Sequence, residues 1–390
     1  VGEHSTLFFA LVIFGGAAVF GTLAMYTRQS LLVAYMLLGL VLGPWCLKII
    51  PNTQIVSEIG DIGIIFLLFL LGLDLQPRNF MRQFSKTIWL TIVSSIVLGI
   101  IGYVIGRLFY YSFFDSFIIG LTMMFSSTVI GLKLLPTTIL HHRHTGEIMI
   151  AILLLQDALA ILLLLVLQAM YGTGAFSWKN LILVGVGFPI LLLTAYLGAR
   201  FIIIKLFERF DIIHEYLWIV AVGWCLFLAV LAQYFNLTAE IGAFVAGVTL
   251  ASYPIAQYIA ESFKQVRDLF LVAFFFSIGA HFNPSFLPEV IFPALILAAT
   301  ILLVKPLVFQ GLLRRDGESQ KVGWEVGVRL GQNSEFSLLL AYLASNMALI
   351  GAKTSFLIQA VTILSFVVSS YWVVLRYATP LAISEKLRQD

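Results

Sequence analysis

Charge is scarce in this sequence. Asp, Glu, Lys and Arg make up 11% of its 390 residues, and hydrophobic residues make up 61%, against about 25% and about 45–50% in an ordinary soluble domain. A water-soluble fold could not hide that much apolar surface, because much of its exterior must stay hydrated. Cysteine is nearly absent. Cys46 and Cys225 lie far apart in apolar text and form no CxxC pair, so neither a disulfide framework nor a thiolate metal site is indicated. The net charge is only +3 and no Lys/Arg run resembles a nucleic-acid patch, which gives no reason to expect nucleic acid as a partner. No GxSxG, HExxH, P-loop or Rossmann fingerprint stands in a supporting context. An enzyme reading therefore lacks a site, and no cofactor is implied.

What is present is a succession of long apolar runs. A bilayer core about 30 Å thick needs about 20 apolar residues per helix. Polar clusters divide the chain into about thirteen such spans, near 7–26, 30–45, 59–75, 86–107, 113–135, 147–171, 180–205, 212–234, 238–253, 264–281, 289–312, 321–345 and 352–376. The first follows "VGEHST" without a basic n-region and reads as a membrane helix, not a cleaved signal peptide. The expectation is an all-α polytopic membrane protein, a single transmembrane domain over 1–390 with no soluble domain or low-complexity linker.

Basic residues fall unevenly about these spans. Seventeen Lys and Arg lie in the odd-numbered loops and the C-terminal tail, and four (Lys48, Arg107, Lys179, Lys353) on the other side. Cytoplasmic loops retain Lys and Arg, so the N-terminus is expected outside and the C-terminus in the cytoplasm. Lys305 and Arg329 lie inside spans.

Isolated charges in apolar text need a reason. Asp157 stands in "AILLLQDALAILLLL", and the stretch from Ile148 to Met170 holds no other charge. A carboxylate there costs about 2.5–3.5 kcal/mol to insert, so it must face the bundle interior or a watery cavity, pair with a cation, or hold a proton part of the time. A desolvated acid of this kind is a usable proton carrier. Lys305, in "ATILLVKPLVFQG", is the sole charge between Glu289 and Arg314. Two lone opposite charges in one bundle lower each other's burial cost, so an Asp157–Lys305 pair is expected. The alternatives are a structural aspartate bonded to a neighbouring helix and a lysine snorkelling to the interface.

Two spans carry polar interruptions. "LTMMFSSTVIGLKLL" groups Ser126, Ser127 and Thr128 with Gly131 a turn on, and "VGVRLGQNSEFSLLLAYLA" groups Gly331, Gln332, Asn333, Ser334 and Glu335. One such break in each half is what a transporter built of inverted repeats would show, with unwound backbone and half-helix ends at the bilayer midplane. There a monovalent cation would meet carbonyls and hydroxyls beside Asp157. Packing by small residues is the bland alternative for the first break. "HHRH" (141–144) reads as a solvated basic loop that could also bind metal or sense pH. Glu325 and Arg329, four apart, should share a helix face and neutralise each other.

These residues resemble the Kef-type, potassium/proton branch of the monovalent cation:proton antiporter superfamily. The likeness is carried by "EIGDIGIIFLLFLLGLDLQP", "FSSTVIGLKLL", "LLQDALAI", "EIGAFVAGVTLA", "RDLFLVAFFFSIGA" and "RLGQNSEFSLLL", six stretches in order over nearly the whole chain. It implies a fold like that of NapA and NhaA: thirteen helices, a dimerisation region, and a mobile core in which two crossed, discontinuous helices flank the transport carboxylate. That carboxylate falls on Asp157 and the core lysine, which pairs with it when no ion is bound, on Lys305. Ser126, Ser127, Thr128 and Gln156 would hold the cation, with Gln332 and Glu335 nearby. Sodium/proton members carry Asn-Asp or Asp-Asp where this chain has Gln156-Asp157, so the resemblance leans to potassium. It also implies a homodimer in a bacterial inner membrane and a cytoplasmic regulatory domain or subunit after the C-terminus. This chain departs from glutathione-gated members, since "YPIAQYIAESFKQVRD" lacks their HALExD-like pattern and the text stops at Asp390. Sodium/proton exchange on the same fold, a potassium efflux channel with a carbonyl filter, and a membrane receptor or scaffold stand as the competing functions.

Overall fold

Hydrocarbon offers no water to backbone N–H and C=O groups, so a chain this apolar must satisfy them within helices. The computed structural model describes residues 6–50, 54–74, 77–133, 144–171, 178–210, 214–235, 237–251, 253 and 255–379. Among these residues the helices group into thirteen segments, counting each interrupted helix once. They are α1 (6–27, with a π-helical turn at Leu11–Gly15), α2 (Leu31–Leu42), α3 (Gln54–Asp74), α4 (Pro77–Leu108), α5a (Phe113–Met123) with α5b (Thr128–Lys133), and α6 (His144–Tyr171). The second half holds α7 (178–209, with a π-helical turn at Ala199–Ile203), α8 (His214–Tyr234), α9 (Ala239–Leu250), α10 (Ile255–His281), α11 (Leu287–Arg315), α12a (Gln320–Arg329) with α12b (Glu335–Asn346), and α13 (Ala352–Arg376). Seven are long and apolar enough to cross a membrane, and α2, α5a, α9 and the stretch Asp268–His281 are shorter apolar helices.

The expected spans match this order, and the largest differences lie at polar ends. Helix α4 begins at Pro77 and α10 at Ile255, ahead of the hydropathy limits at 86 and 264. Hydropathy marks where the chain leaves hydrocarbon, whereas a helix can run on through polar residues such as Arg78, Arg82 and Lys86. Proline at the first position of α4 suits that start, where its missing N–H would have no partner anyway.

Packing places the two breaks together. Helix α3 lies against α9 and α10, α2 against α10, and α8 against α9. Helix α4 packs against α5a and α6, α11 lies along α12a and α13, and α12b joins α13 to α5a. Several helix contacts depend on the absence of a side chain, and two of them bear on the arrangement here. A methyl group on Gly247 of α9 would strike the Phe69 carbonyl of α3, and one on Gly327 of α12a would strike Pro306 of α11. The second approach draws α11 against α12a at the residue next to Lys305. Small residues let membrane helices meet backbone to backbone, which is where their dispersion contact is gained.

Gly247→Val should force α3 and α9 apart at a cost of about 1–3 kcal/mol, the usual range for overpacking. Thermal melting in detergent checks this, and the melting point is expected to drop by several degrees while Gly185→Ala, at a position with open space around it, leaves it unchanged.

Candidate functional site

Each interrupted helix restarts on a serine. Ser127 Oγ accepts the Ile130 amide at 3.1 Å at the start of α5b, and Ser334 Oγ accepts the Phe336 amide at 3.1 Å at the start of α12b. An N-cap of this kind occupies one of the amide donors that a new helix leaves open. The breaks themselves, 124–127 and 330–334, are fully buried. Their backbone groups need partners from elsewhere.

Those partners come largely from across the two breaks. Ser126 Oγ donates to the Leu330 carbonyl at 2.8 Å, Gln332 Nε2 donates to the Ser127 carbonyl at 3.3 Å, and Ser337 Oγ donates to the Thr122 carbonyl. Helix α6 supplies Gln156, whose Oε1 accepts the Ser126 amide at 3.0 Å while its Nε2 donates to the Met124 carbonyl at 3.2 Å. One carboxamide thus takes the place of a neighbouring helical turn. The sequence reading made Gln156 a cation ligand; here both ends of its amide brace the α5 break.

Lys305 is wholly buried. Its Nζ donates to the Phe125 carbonyl at 2.7 Å, the Gln332 carbonyl at 2.7 Å and Ser126 Oγ at 3.2 Å. An ammonium has three protons to give, and all three are given to the breaks. The expected Asp157–Lys305 ion pair is therefore not formed in this structure: among the described residues, Asp157 has no Lys or Arg within ion-pair distance. The physical reason is that carbonyls released by two broken helices form a ready-made cage for a cation, and the lysine fills it.

Asp157 is 1% exposed. Its Oδ2 accepts a hydrogen bond from Thr128 Oγ1 at 2.8 Å, and its Oδ1 has no hydrogen-bond partner. Glu335, the first residue of α12b and itself buried, lies within electrostatic reach. Asp157, Gln156, Ser126, Ser127, Thr128, Lys305, Gln332 and Glu335 are thus gathered at one crossing of α5, α6, α11 and α12. Asn333 joins them through a face that sequence reading missed: its amide donates to Ser365 Oγ at 3.0 Å and its Nδ2 to Thr362 Oγ1 at 3.1 Å, while Ser369 Oγ donates to Gln332 Oε1 at 3.0 Å. Polar residues spaced three and four apart in the apolar text of α13 were the signal available. The remaining candidates divide. Arg329 Nε meets Glu325 Oε1 at 2.9 Å, as their spacing suggested, and it also donates to the Ala378 carbonyl at 3.0 Å with its guanidinium over the Tyr377 ring. His141 and Arg143 of the "HHRH" stretch lie outside the described residues.

Residues 9–375 match the transmembrane sodium/hydrogen exchanger family. The chain belongs to that family. It is a membrane transporter that exchanges monovalent cations and protons, not an enzyme. Among its exchanger relatives, it is 27% identical to the iron transporter MagA of Paramagnetospirillum magneticum, covering 95% of this chain and 85% of that protein. It is 27% identical to K(+) efflux antiporter 5 of Arabidopsis thaliana (92% and 64%) and 28% identical to the putative cation/proton antiporter YbaL of Escherichia coli (94% and 68%). It therefore spans a little under two thirds of the plant protein's length. The solved sodium proton antiporter MjNhaP1 from Methanocaldococcus jannaschii superposes with a TM-score of 0.70 at 18% identity, over 93% of this chain and 94% of that one. That likeness establishes the exchanger fold.

In this exchanger, Gln156→Leu should leave the Ser126 amide and the Met124 carbonyl unpaired in a buried site, at about 1–3 kcal/mol for each group. Melting in detergent should fall sharply, and hydrogen exchange at residues 124–128 should accelerate more than in α8 of the same variant.

Proposed function

We propose that this exchanger moves potassium against protons by alternating access, with Asp157 binding either ion. The observation that carries the reading is the Asp157 carboxyl: buried and, among the described residues, bonded by Thr128 alone with Oδ1 unpartnered. A bare carboxylate in such a place is costly, and a bound proton or a bound monovalent cation removes the cost equally well. The two therefore compete for one group. Once neutralised, the site can cross the dielectric barrier of the membrane. An empty, ionised site crosses poorly, and this difference couples the two fluxes.

The neighbouring groups have separable roles. Thr128 holds Oδ2 and leaves Oδ1 for the ion. Ser127 and Glu335 offer further oxygen atoms at the crossing, a hard donor set suited to an alkali cation, and among the described residues no imidazole or thiolate of the kind that favours iron joins them. Lys305 ties the two breaks together and supplies the positive charge of the core. With one exchanging carboxylate per protomer, we expect about one proton per cation and nearly electroneutral exchange. Potassium is favoured by the Gln156-Asp157 pair, by its resemblance to Kef-type sequences, and by the potassium efflux named in the plant relatives. Sodium is the competing ion. In this reading α4–α6 and α11–α13 form the moving core, and α1–α3 with α8–α10 form the region that pairs two copies. The N-terminus faces outward and the C-terminus the cytoplasm of a bacterial inner membrane.

Proteoliposomes loaded with a pH dye test the proposal by pulses of KCl or NaCl. Wild type should move protons in response to potassium, and Asp157→Asn should reduce the response to that of empty vesicles. Cation flux with no proton movement would replace exchange with a channel. The half-saturating potassium concentration should also fall as pH rises, by up to about tenfold per unit, because one proton competes with one cation. A half-saturation independent of pH would separate the two binding events and remove Asp157 from the centre of the mechanism.

A further inference from the structure

The two breaks are braced by the same operation. At the first, the Ser126 amide is taken by Gln156 of the next long helix, 30 residues on; at the second, the Asn333 amide is taken by Ser365 of the next long helix, 32 residues on. Helix α13 thus does for the α12 break what α6 does for the α5 break. Thr362, Ser365 and Ser369 line one buried face of α13. The first two return their own protons to α13, Thr362 Oγ1 to the Ile358 carbonyl and Ser365 Oγ to the Thr362 carbonyl, both at 2.8 Å. Ser369 differs. Its proton goes outward to Gln332 Oε1.

The Ser127 carbonyl can only accept, so Nε2 is the end of the Gln332 carboxamide presented to the α5 break, and Ser369 anchors the other end by donating to Oε1. The next residue, Thr128, holds Asp157 Oδ2, while the Gln332 main-chain carbonyl holds Lys305. A carboxamide turned round would set Oε1 against the Ser127 carbonyl, acceptor against acceptor, and push on the segment that carries Thr128. We propose that Ser369, which bonds Gln332 and not Asp157, is a positioning residue for exchange. It anchors the Gln332 carboxamide against the α5 break and so sets the cation affinity at Asp157. This rests on the exchange reading above and adds a determinant that acts through another residue.

The matched control is one residue away. Ser370 is as deeply buried as Ser369, and among the described residues its hydroxyl has no hydrogen-bond partner. Ser369→Ala, Ser369→Thr and Ser370→Ala would be purified, titrated with KCl, NaCl and choline chloride while melting is followed in detergent, and assayed for exchange in proteoliposomes. Ser369→Ala should raise the half-saturating potassium concentration about three- to tenfold, the worth of one buried hydrogen bond, with the maximal rate within about twofold of wild type. Ser369→Thr, which keeps the hydroxyl, should return the affinity to within about twofold of wild type, and Ser370→Ala should leave it unchanged. Unchanged affinity in Ser369→Ala, an equal loss in Ser370→Ala, or no rescue by threonine would overturn the proposal. Should wild type bind potassium in the melting titration but exchange no protons, the exchange reading alone fails, and the titration of Ser369→Ala still decides the role of Ser369.

Discussion

Backbone hydrogen bonding without water is the constraint on which the rest of this structure depends. A helix broken at membrane depth releases carbonyls on one side of the break and amides on the other, and lipid can satisfy neither. Here two such breaks are set across each other, so that Ser126 reaches the Leu330 carbonyl and Gln332 reaches the Ser127 carbonyl. Gln156, Ser365 and Lys305 take most of what is left over. Neither interrupted helix could sit in the bundle alone.

Electrostatics at the crossing follow from that bonding. The carbonyl ends of two broken helices gather negative partial charge, and Lys305 answers it with all three of its protons. Among the described residues Asp157 is left with a threonine hydroxyl on one oxygen and no partner on the other. In the proposed exchange, the fully bonded lysine stays in place while the carboxyl is loaded and emptied. The same economy explains the rigidity of the surroundings, because each polar side chain used to satisfy backbone is also one that cannot drift into the ion's place.

The site is also joined to the chain's far end. Arg329, last residue of α12a and adjacent to the break, meets Glu325, the Ala378 carbonyl and the face of Tyr377. Residues just past α13 are thereby held against the half-helix that carries Leu330 and Gln332.

Much of this was legible in the residues before any coordinates. Apolar run length and polar punctuation located the thirteen helices, because a bilayer's thickness prescribes the length of each crossing. Asp157 and Lys305 stood out since charge in hydrocarbon is costly enough to need a reason, and "SST" and "GQNSE" marked the two breaks since helices through lipid rarely carry such clusters. Glu325 and Arg329 were readable from helical spacing alone. Which groups those side chains would bond was not readable. Lys305 was expected on Asp157 and instead holds the two breaks; Gln156, expected beside the ion, holds backbone with both ends of its amide; Thr362, Ser365 and Ser369 passed as ordinary residues of an apolar helix. Residue type states what a group can donate or accept, whereas the partner is decided by which of many open donors and acceptors the crossing of distant helices brings within 3 Å. The sequence by itself determined the membrane, the helices and the charges that had to be neutralised. Only the tertiary structure decided how, because many of the acceptors that Lys305, Ser126, Gln156 and Gln332 use are main-chain carbonyls, which every residue carries and no sequence pattern singles out.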